Sequence, residues 1–286
     1  MIARPPRSPL EVSMDHYAVI GHPVAHSLSP RIHARFAERC GEALDYRAVE
    51  APLDDFAGTT RALFAAGLAG ANVTVPFKAE ARRLADRVDP VADRAGVVNT
   101  LRREPDGSIS GFNTDGSGLV RDLGIHLDFP LEGARVVLIG AGGAAAGVIE
   151  PLCRAGIGEL VIGNRTAARA DALAARFRPL GPVRVAAMTD LPPADLLINA
   201  TAASLAGDLP ALPDSLILPD TLAYDMMYAD AGTPFLDWCR VRGAGRRADG
   251  LGMLVEQAAE AFLIWRGVRP DAVDVLRMLR PRAAPF

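Results

Sequence analysis

Three clusters of residues in this sequence are spaced for chemistry. The first, Gly140-Ala-Gly-Gly-Ala-Ala-Ala-Gly147, follows the apolar run Arg135–Ile139. Small residues at a strand-to-helix turn let the backbone approach a pyrophosphate, and the helix N-terminus meets its charge. The second is Asn164-Arg165-Thr166, followed by Arg169, just past the next apolar run. A site for NAD carries Asp or Glu about 20 residues beyond the glycines to bind the ribose, whereas a 2′-phosphate calls for cations there. If the helix starts promptly, Arg165 and Arg169 stand at i, i+4 and clamp one phosphate, assisted by the Asn164 amide and the Thr166 hydroxyl. That predicts NADP rather than NAD; the alternative is a Thr166 N-cap with solvated arginines.

The third cluster is Asn72-Val-Thr-Val-Pro-Phe-Lys78. Strand alternation puts Asn72 and Thr74 on one face, Val73 and Val75 in the core, and Lys78 just past the strand end. A nicotinamide cofactor working on a hydroxyl/ketone pair needs a proton donor and acceptor beside the reacting oxygen, and Lys78 is the candidate. A solvated lysine beside an edge strand is the competing reading. Asn99-Thr100 and Asn113-Thr-Asp115-Gly lie in loop-like contexts that turn chemistry alone explains. Ser27 and Ser29 precede a helix with Pro30 in its first turn, and two serines exceed what one cap requires. His22, His26 and His33 raise the question of a metal, but Pro23 and Pro30 break any shared helical face, so no metal site is expected.

The elements that must position these residues alternate between strand and helix. Tyr17–Ile20, Asp45–Val49 and Gly70–Val75 read as strands, with helices over Pro30–Cys40 and Phe56–Ala66. The pattern restarts with strands Arg135–Ile139 and Leu160–Gly163, a helix from the glycine turn to Arg154 and another over Ala167–Phe177. Leu196–Asn199 and Ala223–Asp225 are further strand ends, and Leu251–Trp265 is a long amphipathic helix. A linker near Gly111–Gly118 divides the halves. Whether the last helices return to the first half is not written in the periodicity.

At 286 residues the chain is long enough for two domains. A net charge of −3 gives no electrostatic footprint for nucleic acid or an anionic membrane. Three widely spaced cysteines suggest neither a disulfide framework nor a CxxC site, which favours a reducing cytoplasm. The N-terminal stretch lacks the apolar region of a signal peptide, and residues 1–13 read as a flexible extension. No apolar run approaches the ~20 residues of a membrane span.

Taken in order, His26-Ser-Leu-Ser-Pro30, Asn72–Lys78, Gly96-Val-Val-Asn-Thr100, Asn113-Thr-Asp-Gly116, Gly140–Ala144, Asn164–Thr166, Tyr224-Asp-Met-Met-Tyr228 and Asp249–Gln257 closely resemble the shikimate dehydrogenase family, over residues 17 to about 268. The resemblance implies NADP(H)-dependent reduction of 3-dehydroshikimate to shikimate, a step of chorismate and aromatic amino-acid biosynthesis. It implies an α/β fold of two domains, a Rossmann-type NADP-binding domain and an α/β substrate domain with a central mostly parallel sheet, with the cleft between them. The expected bounds are 14–114 plus 250–286 for substrate and 115–249 for NADP, so the C-terminal helices deliver Gln257 to the cleft. It further implies that Ser27, Ser29, Thr74, Asn99, Tyr228 and Gln257 bind the substrate's carboxylate and hydroxyls, that Asn72 supports them, and that Lys78 and Asp115 are the catalytic pair. Gly140, Ala141, Gly142, Gly143, Ala144, Asn164, Arg165, Thr166, Arg169, Met226 and Gly250 are then the cofactor contacts. The expected partner is a small molecule, with no nucleic acid and no membrane, and a homodimer is left open. Departures from the family pattern are Ala202-Ala-Ser-Leu205 near the cofactor, Val97 in place of Ala, and Ala34 in place of Asn. Two other readings compete: a quinate/shikimate dehydrogenase using NAD, which an acidic residue at 164 or 165 would favour, and a non-catalytic NADP(H) sensor, which loss of Lys78 or Asp115 would favour. The sequence carries neither feature.

Overall fold

A computed structural model describes residues 14–201, 212–229 and 231–280. The expected extension 1–13 and the departure at Ala202–Leu205 lie outside the described residues.

Among the described residues, two six-stranded sheets organise the fold. The first contains β1 (Asp15–Gly21), β2 (Leu44–Glu50), β3 (Gly70–Val73), β4 (Arg87–Val88), β5 (Thr100–Arg103) and β6 (Ile109–Phe112), in the order β2-β1-β3-β5-β6-β4. Only β5 runs against its neighbours, so the sheet is mostly parallel. Helices α1 (Ser29–Cys40), α2 (Phe56–Ala65), α3 (Lys78–Leu84) and α4 (Pro90–Ala95) connect these strands.

The second sheet holds β7 (Arg135–Ile139), β8 (Glu159–Gly163), β9 (Val183–Ala186), β10 (Leu196–Asn199), β11 (Leu222–Asp225) and β12 (Arg246–Asp249) in the order β12-β11-β10-β7-β8-β9. Every pair is parallel, which is the doubly wound order of dinucleotide-binding folds. The apolar run of β7 follows from this placement. Val136 and Leu138 enter the core on one face of the sheet, Val137 and Ile139 the core on the other, so alternation cannot be polar on either side. Helices α6 (Gly143–Arg154), α7 (Ala167–Phe177) and α8 (Pro234–Val241) cover these faces.

Helix α5 (Asp115–Arg121) joins the sheets, and α9 (Leu251–Arg266) and α10 (Ala272–Leu279) close the fold. The linker expected near Gly111–Gly118 is the end of β6 followed by this buried helix. A Cβ on Gly116 would stand 2.5 Å from Gly147 O on α6, and one on Gly118 would stand 2.8 Å from Gln257 Cβ on α9. The glycines that read as a linker serve to bring three helices together. From Met253, beside Leu119 and Leu123, α9 reaches Phe262, which packs with Ile32, Phe36 and Val275 of α1 and α10. At its end the Trp265 indole N–H donates to Leu101 O at 3.0 Å, so α9 returns to the first sheet.

Two local expectations fail for one reason. β3 stops at Val73, and a turn closed by Phe77 N–H to Thr74 O at 3.0 Å replaces its last residues. Alternation therefore ends before Val75, which is 63% exposed, and Phe77 enters the core in its place.

Candidate active site

Lys78 opens α3 and Asp115 opens α5, so each group sits where a loop from the first sheet becomes a helix. Lys78 Nζ donates to Asp115 Oδ2 at 2.6 Å, the carboxylate being 7% exposed and the lysine 20%. The other carboxylate oxygen accepts from Asn99 Nδ2 at 2.9 Å. Asn99 cannot turn its amide over: its Oδ1 accepts the Thr114 backbone N–H at 2.9 Å and the Thr100 hydroxyl at 2.9 Å. The same Nδ2 lies 2.9 Å from Thr114 Oγ1 and 3.3 Å from Gln257 Oε1, and Gln257 Nε2 is anchored on Leu254 O. Asn72 extends the network on β3, its Nδ2 donating to Thr100 Oγ1 at 3.1 Å and its Oδ1 accepting from the Tyr46 hydroxyl at 2.7 Å.

Among the predicted substrate contacts, Asn72, Asn99 and Gln257 thus join the network of Lys78 and Asp115, the expected catalytic pair. Ser29 is buried beside the Tyr46 hydroxyl, its backbone N–H donating to Ser27 Oγ at 3.2 Å, so Ser27 shapes the entry of α1 while Leu28 holds the N-cap position. Thr74 N–H donates to Ile20 O, seating Thr74 beside the end of β1. Tyr228 is half-buried after β11, burial raises its phenol pKa, and among the described residues no hydrogen bond ties it to Asn99.

At the glycine turn, Gly140 adopts φ +114°, a region L side chains avoid, with Thr201 close above it. Gly142 is exposed, and a Cβ there would meet nothing within 4 Å. Ala141, Gly143 and Ala144 are half-buried at the start of α6, whose N-terminus has neither a side-chain cap nor an acidic residue in its first turn. Such open N–H donors suit a pyrophosphate. After β8, Arg165, Thr166 and Arg169 are exposed, and among the described residues neither arginine pairs with a carboxylate. The shared helical face is corrected: α7 begins at Ala167, so Arg165 precedes the helix and only Arg169 lies on it. Thr166 stands at the N-cap without using its hydroxyl, and Asn164 Nδ2 is engaged with Thr166 O at 2.8 Å, holding the turn. Met226 N–H donates to Asn199 O and Gly250 N–H to Met227 O, bringing the end of β11 to the start of α9. These residues fit a dinucleotide carrying a 2′-phosphate: open space over Gly142, free helix donors, and two unpaired cations where an acidic residue would repel it.

Asn113 connects the two ends. It accepts the Asp115 N–H at 3.0 Å, donates to Val97 O at 3.2 Å, and lies 3.0 Å from the position of a Cβ on Gly147. Val97, one of the departures, packs 3.0 Å over Gly143 by the same measure. The sequence does not single out Tyr46, Thr100, Thr114 or Asn113 as functional. Thr100, Thr114 and Asn113 adjoin predicted residues in the chain, whereas Tyr46 carries only the weak signal of a polar aromatic within a strand.

Behind Asp115, Asp122 is buried, accepts the Tyr224 hydroxyl at 2.6 Å, and has its pKa pushed up to about 6, chiefly by burial. Glu256, on α9, is equally buried. Burial pushes its carboxyl up, but hydrogen bonds from His126, Arg121 and Arg269 outweigh it and bring the pKa down to about 2. Among the described residues no group of three His, Cys, Asp or Glu side chains is placed to hold a metal ion, and no helix is long and apolar enough to cross a membrane.

Three family models match the chain: shikimate dehydrogenase substrate binding domain at residues 19–101, shikimate / quinate 5-dehydrogenase at 125–206, and shikimate 5′-dehydrogenase C-terminal domain at 250–279. A shikimate dehydrogenase (NADP(+)) of Chromohalobacter salexigens is 55% identical over 270 residues, spanning 94% of this chain and 99% of that one. Its counterpart in Alkalilimnicola ehrlichii is 52% identical over 268 residues, spanning 93% and 99%. The crystal structure of shikimate 5-dehydrogenase from Thermus thermophilus, in complex with NADP(H) and shikimate, superposes with a TM-score of 0.84 at 36% identity, covering 94% of this chain and 99% of that one.

Proposed function

The chain belongs to the shikimate dehydrogenase family, and from that premise we propose how its residues divide the work. The reaction is the reversible reduction of 3-dehydroshikimate to shikimate, for which NADPH, when bound, supplies the hydride. In the reductive direction Lys78 Nζ gives its proton to the substrate carbonyl oxygen, and in reverse it takes one back. Asp115 Oδ2 aims the ammonium, and Asn99 holds Asp115 from its other oxygen. Ser27, Ser29, Thr74, Asn99, Tyr228 and Gln257 bind the carboxylate and hydroxyls of the substrate. Neutral donors and acceptors suit a polyhydroxy acid, because a site built to pair each hydroxyl rejects an analogue that lacks one. Arg165 and Arg169 pair with the 2′-phosphate, Thr166 adds a hydroxyl, and the α6 N-terminus with Gly140–Ala144 receives the pyrophosphate. Met226 and Gly250 border the nicotinamide end.

The observation that carries this reading is Asn113, which links the backbone of Asp115 to the loop over Gly143 and to Gly147 of the glycine-turn helix. The proposed domain bounds are 14–114 plus 250–286 for the substrate and 115–249 for the cofactor, in keeping with the spans of the three family models. We also propose a cytoplasmic location, which suits three unpaired cysteines, and a second copy of this chain as its macromolecular partner. The test is a four-way assay of shikimate and quinate with NADP and NAD. Shikimate with NADP is expected to dominate kcat/KM; quinate or NAD at a comparable value overturns the substrate or cofactor assignment respectively.

A further inference from the structure

On β2, Tyr46 stands opposite Tyr17 in register, and Tyr17 stands opposite Gly70 on β3. Asn72, two residues beyond Gly70, shares its sheet face, so the Tyr46 side chain leans across β1 by one pleat to place its hydroxyl 2.7 Å from Asn72 Oδ1. Such a reach needs a ring held in one attitude. His33 of α1 supplies that hold: its ring lies over Tyr46 at a centroid distance of 4.2 Å and an interplanar angle of 7°. His33 is fully buried, edged by Phe36 and Trp265, and among the described residues neither ring nitrogen makes a hydrogen bond of good geometry. Burial pushes its pKa down to about 3, with the Asn72 side chain only partly offsetting this, so the imidazole in the stack is neutral near pH 7.

The hydrogen bonds that start at Tyr46 have fixed directions. Asn72 Nδ2 lies 3.3 Å from the backbone oxygen of Asn99, a pure acceptor, so the Asn72 amide cannot be reversed and Oδ1 must face Tyr46. The phenol therefore donates to Asn72. Asn72 donates to Thr100 Oγ1, whose own proton goes to Asn99 Oδ1, and Asn99 donates to Asp115 Oδ1. Each member is buried, so none has water as a substitute partner.

We propose that Tyr46, clamped by His33, is a positioning residue that sets the Asp115 carboxylate against Lys78 through Asn72, Thr100 and Asn99. It touches no reacting atom. Removing its hydroxyl takes from buried Asn72 Oδ1 the donor it has at 2.7 Å and lets the relay relax away from Asp115. This inference rests on the assignment of Lys78 and Asp115 as the catalytic pair.

The test is a double-mutant cycle of Tyr46→Phe and Asp115→Asn, with kcat, shikimate Kd and Tm measured for each protein. Tyr46→Phe keeps the ring and the stack, so the fold is retained, and kcat is expected to drop about tenfold with Kd changed much less, the size of one buried hydrogen bond. If Tyr46 acts through Asp115, the double variant is no slower than Asp115→Asn alone. Multiplicative losses, or a Tyr46→Phe effect confined to Tm, overturn the inference while leaving the catalytic pair intact. Full turnover by Asp115→Asn instead sinks the catalytic assignment itself. A second pair checks the clamp: His33→Ala is expected to reproduce the kcat loss of Tyr46→Phe, and His33→Phe to restore most of it. If both His33 variants lose kcat alike, His33 is not the clamp.

Discussion

The two ends of the proposed cleft solve recognition by opposite means. At the substrate end Asn72, Asn99, Asp115 and Gln257 are each less than a tenth exposed, and their polar atoms are closed on one another before any ligand arrives. At the cofactor end Arg165, Thr166 and Arg169 are exposed and engage no carboxylate among the described residues. A buried array of amides and hydroxyls closed around one ion pair discriminates by geometry, since each mismatch leaves a polar atom unpaired in low dielectric. Exposed guanidiniums discriminate by charge, and remain solvated at little expense until a phosphate comes. The difference teaches that substrate identity here is a property of the fold, and cofactor identity a property of a short stretch of sequence.

Breaking the substrate end should have the largest consequence. Lys78→Ala is expected to lower kcat by about 10³-fold, the usual weight of a proton-transfer group, with shikimate affinity by calorimetry moving only a few-fold. Turnover near that of the parent would remove Lys78 from the chemistry. At the other end, Arg165→Ala combined with Arg169→Ala should raise KM for NADPH by about 10²-fold, two charge-assisted contacts, while KM for NADH stays put. Equal changes for both cofactors would mean that the pair does not read the 2′-phosphate, and the contrast between the ends would fail.

The smallest effect concerns the seam between them. Because burial raises the folded pKa of Asp122 to about 6 from 3.8, the folded state binds this proton more tightly than the unfolded chain does. Stability therefore falls as pH climbs from about 4 to about 6 and stays lower above that. Asp122→Asn keeps an acceptor for the Tyr224 hydroxyl and removes the titration. Its Tm should exceed that of the parent by several degrees at pH 8, the margin closing as pH falls from about 6 to about 4. A margin independent of pH in a thermal-shift series would show that ionisation of Asp122 is not its source.

What the sequence discloses follows the same division. The glycine turn and β8 are legible because strand, turn and helix are consecutive, and β7 and α7 have the bounds that periodicity assigns them. Alternation carries β3 two residues too far, since the turn at Thr74–Phe77 looks like continued strand. Asn113-Thr-Asp115-Gly passes for an ordinary turn because its meaning depends on Asn99, Lys78 and Gln257 arriving from three other elements. Tyr46 is harder still: nothing on β2 says that its hydroxyl crosses β1 to find Asn72.

Helix α5 has a further consequence. Its seven residues include Gly116 and Gly118, each costing about 1 kcal/mol of helix propensity relative to Ala, and even with the π-helical turn Asp122–His126 that continues it so short a segment does not hold helical form in water. It is a helix only while α6 and α9 enclose it. Asp115 therefore keeps its place by docking rather than by local helix propensity, and a local opening of this seam would displace it with both sheets still folded.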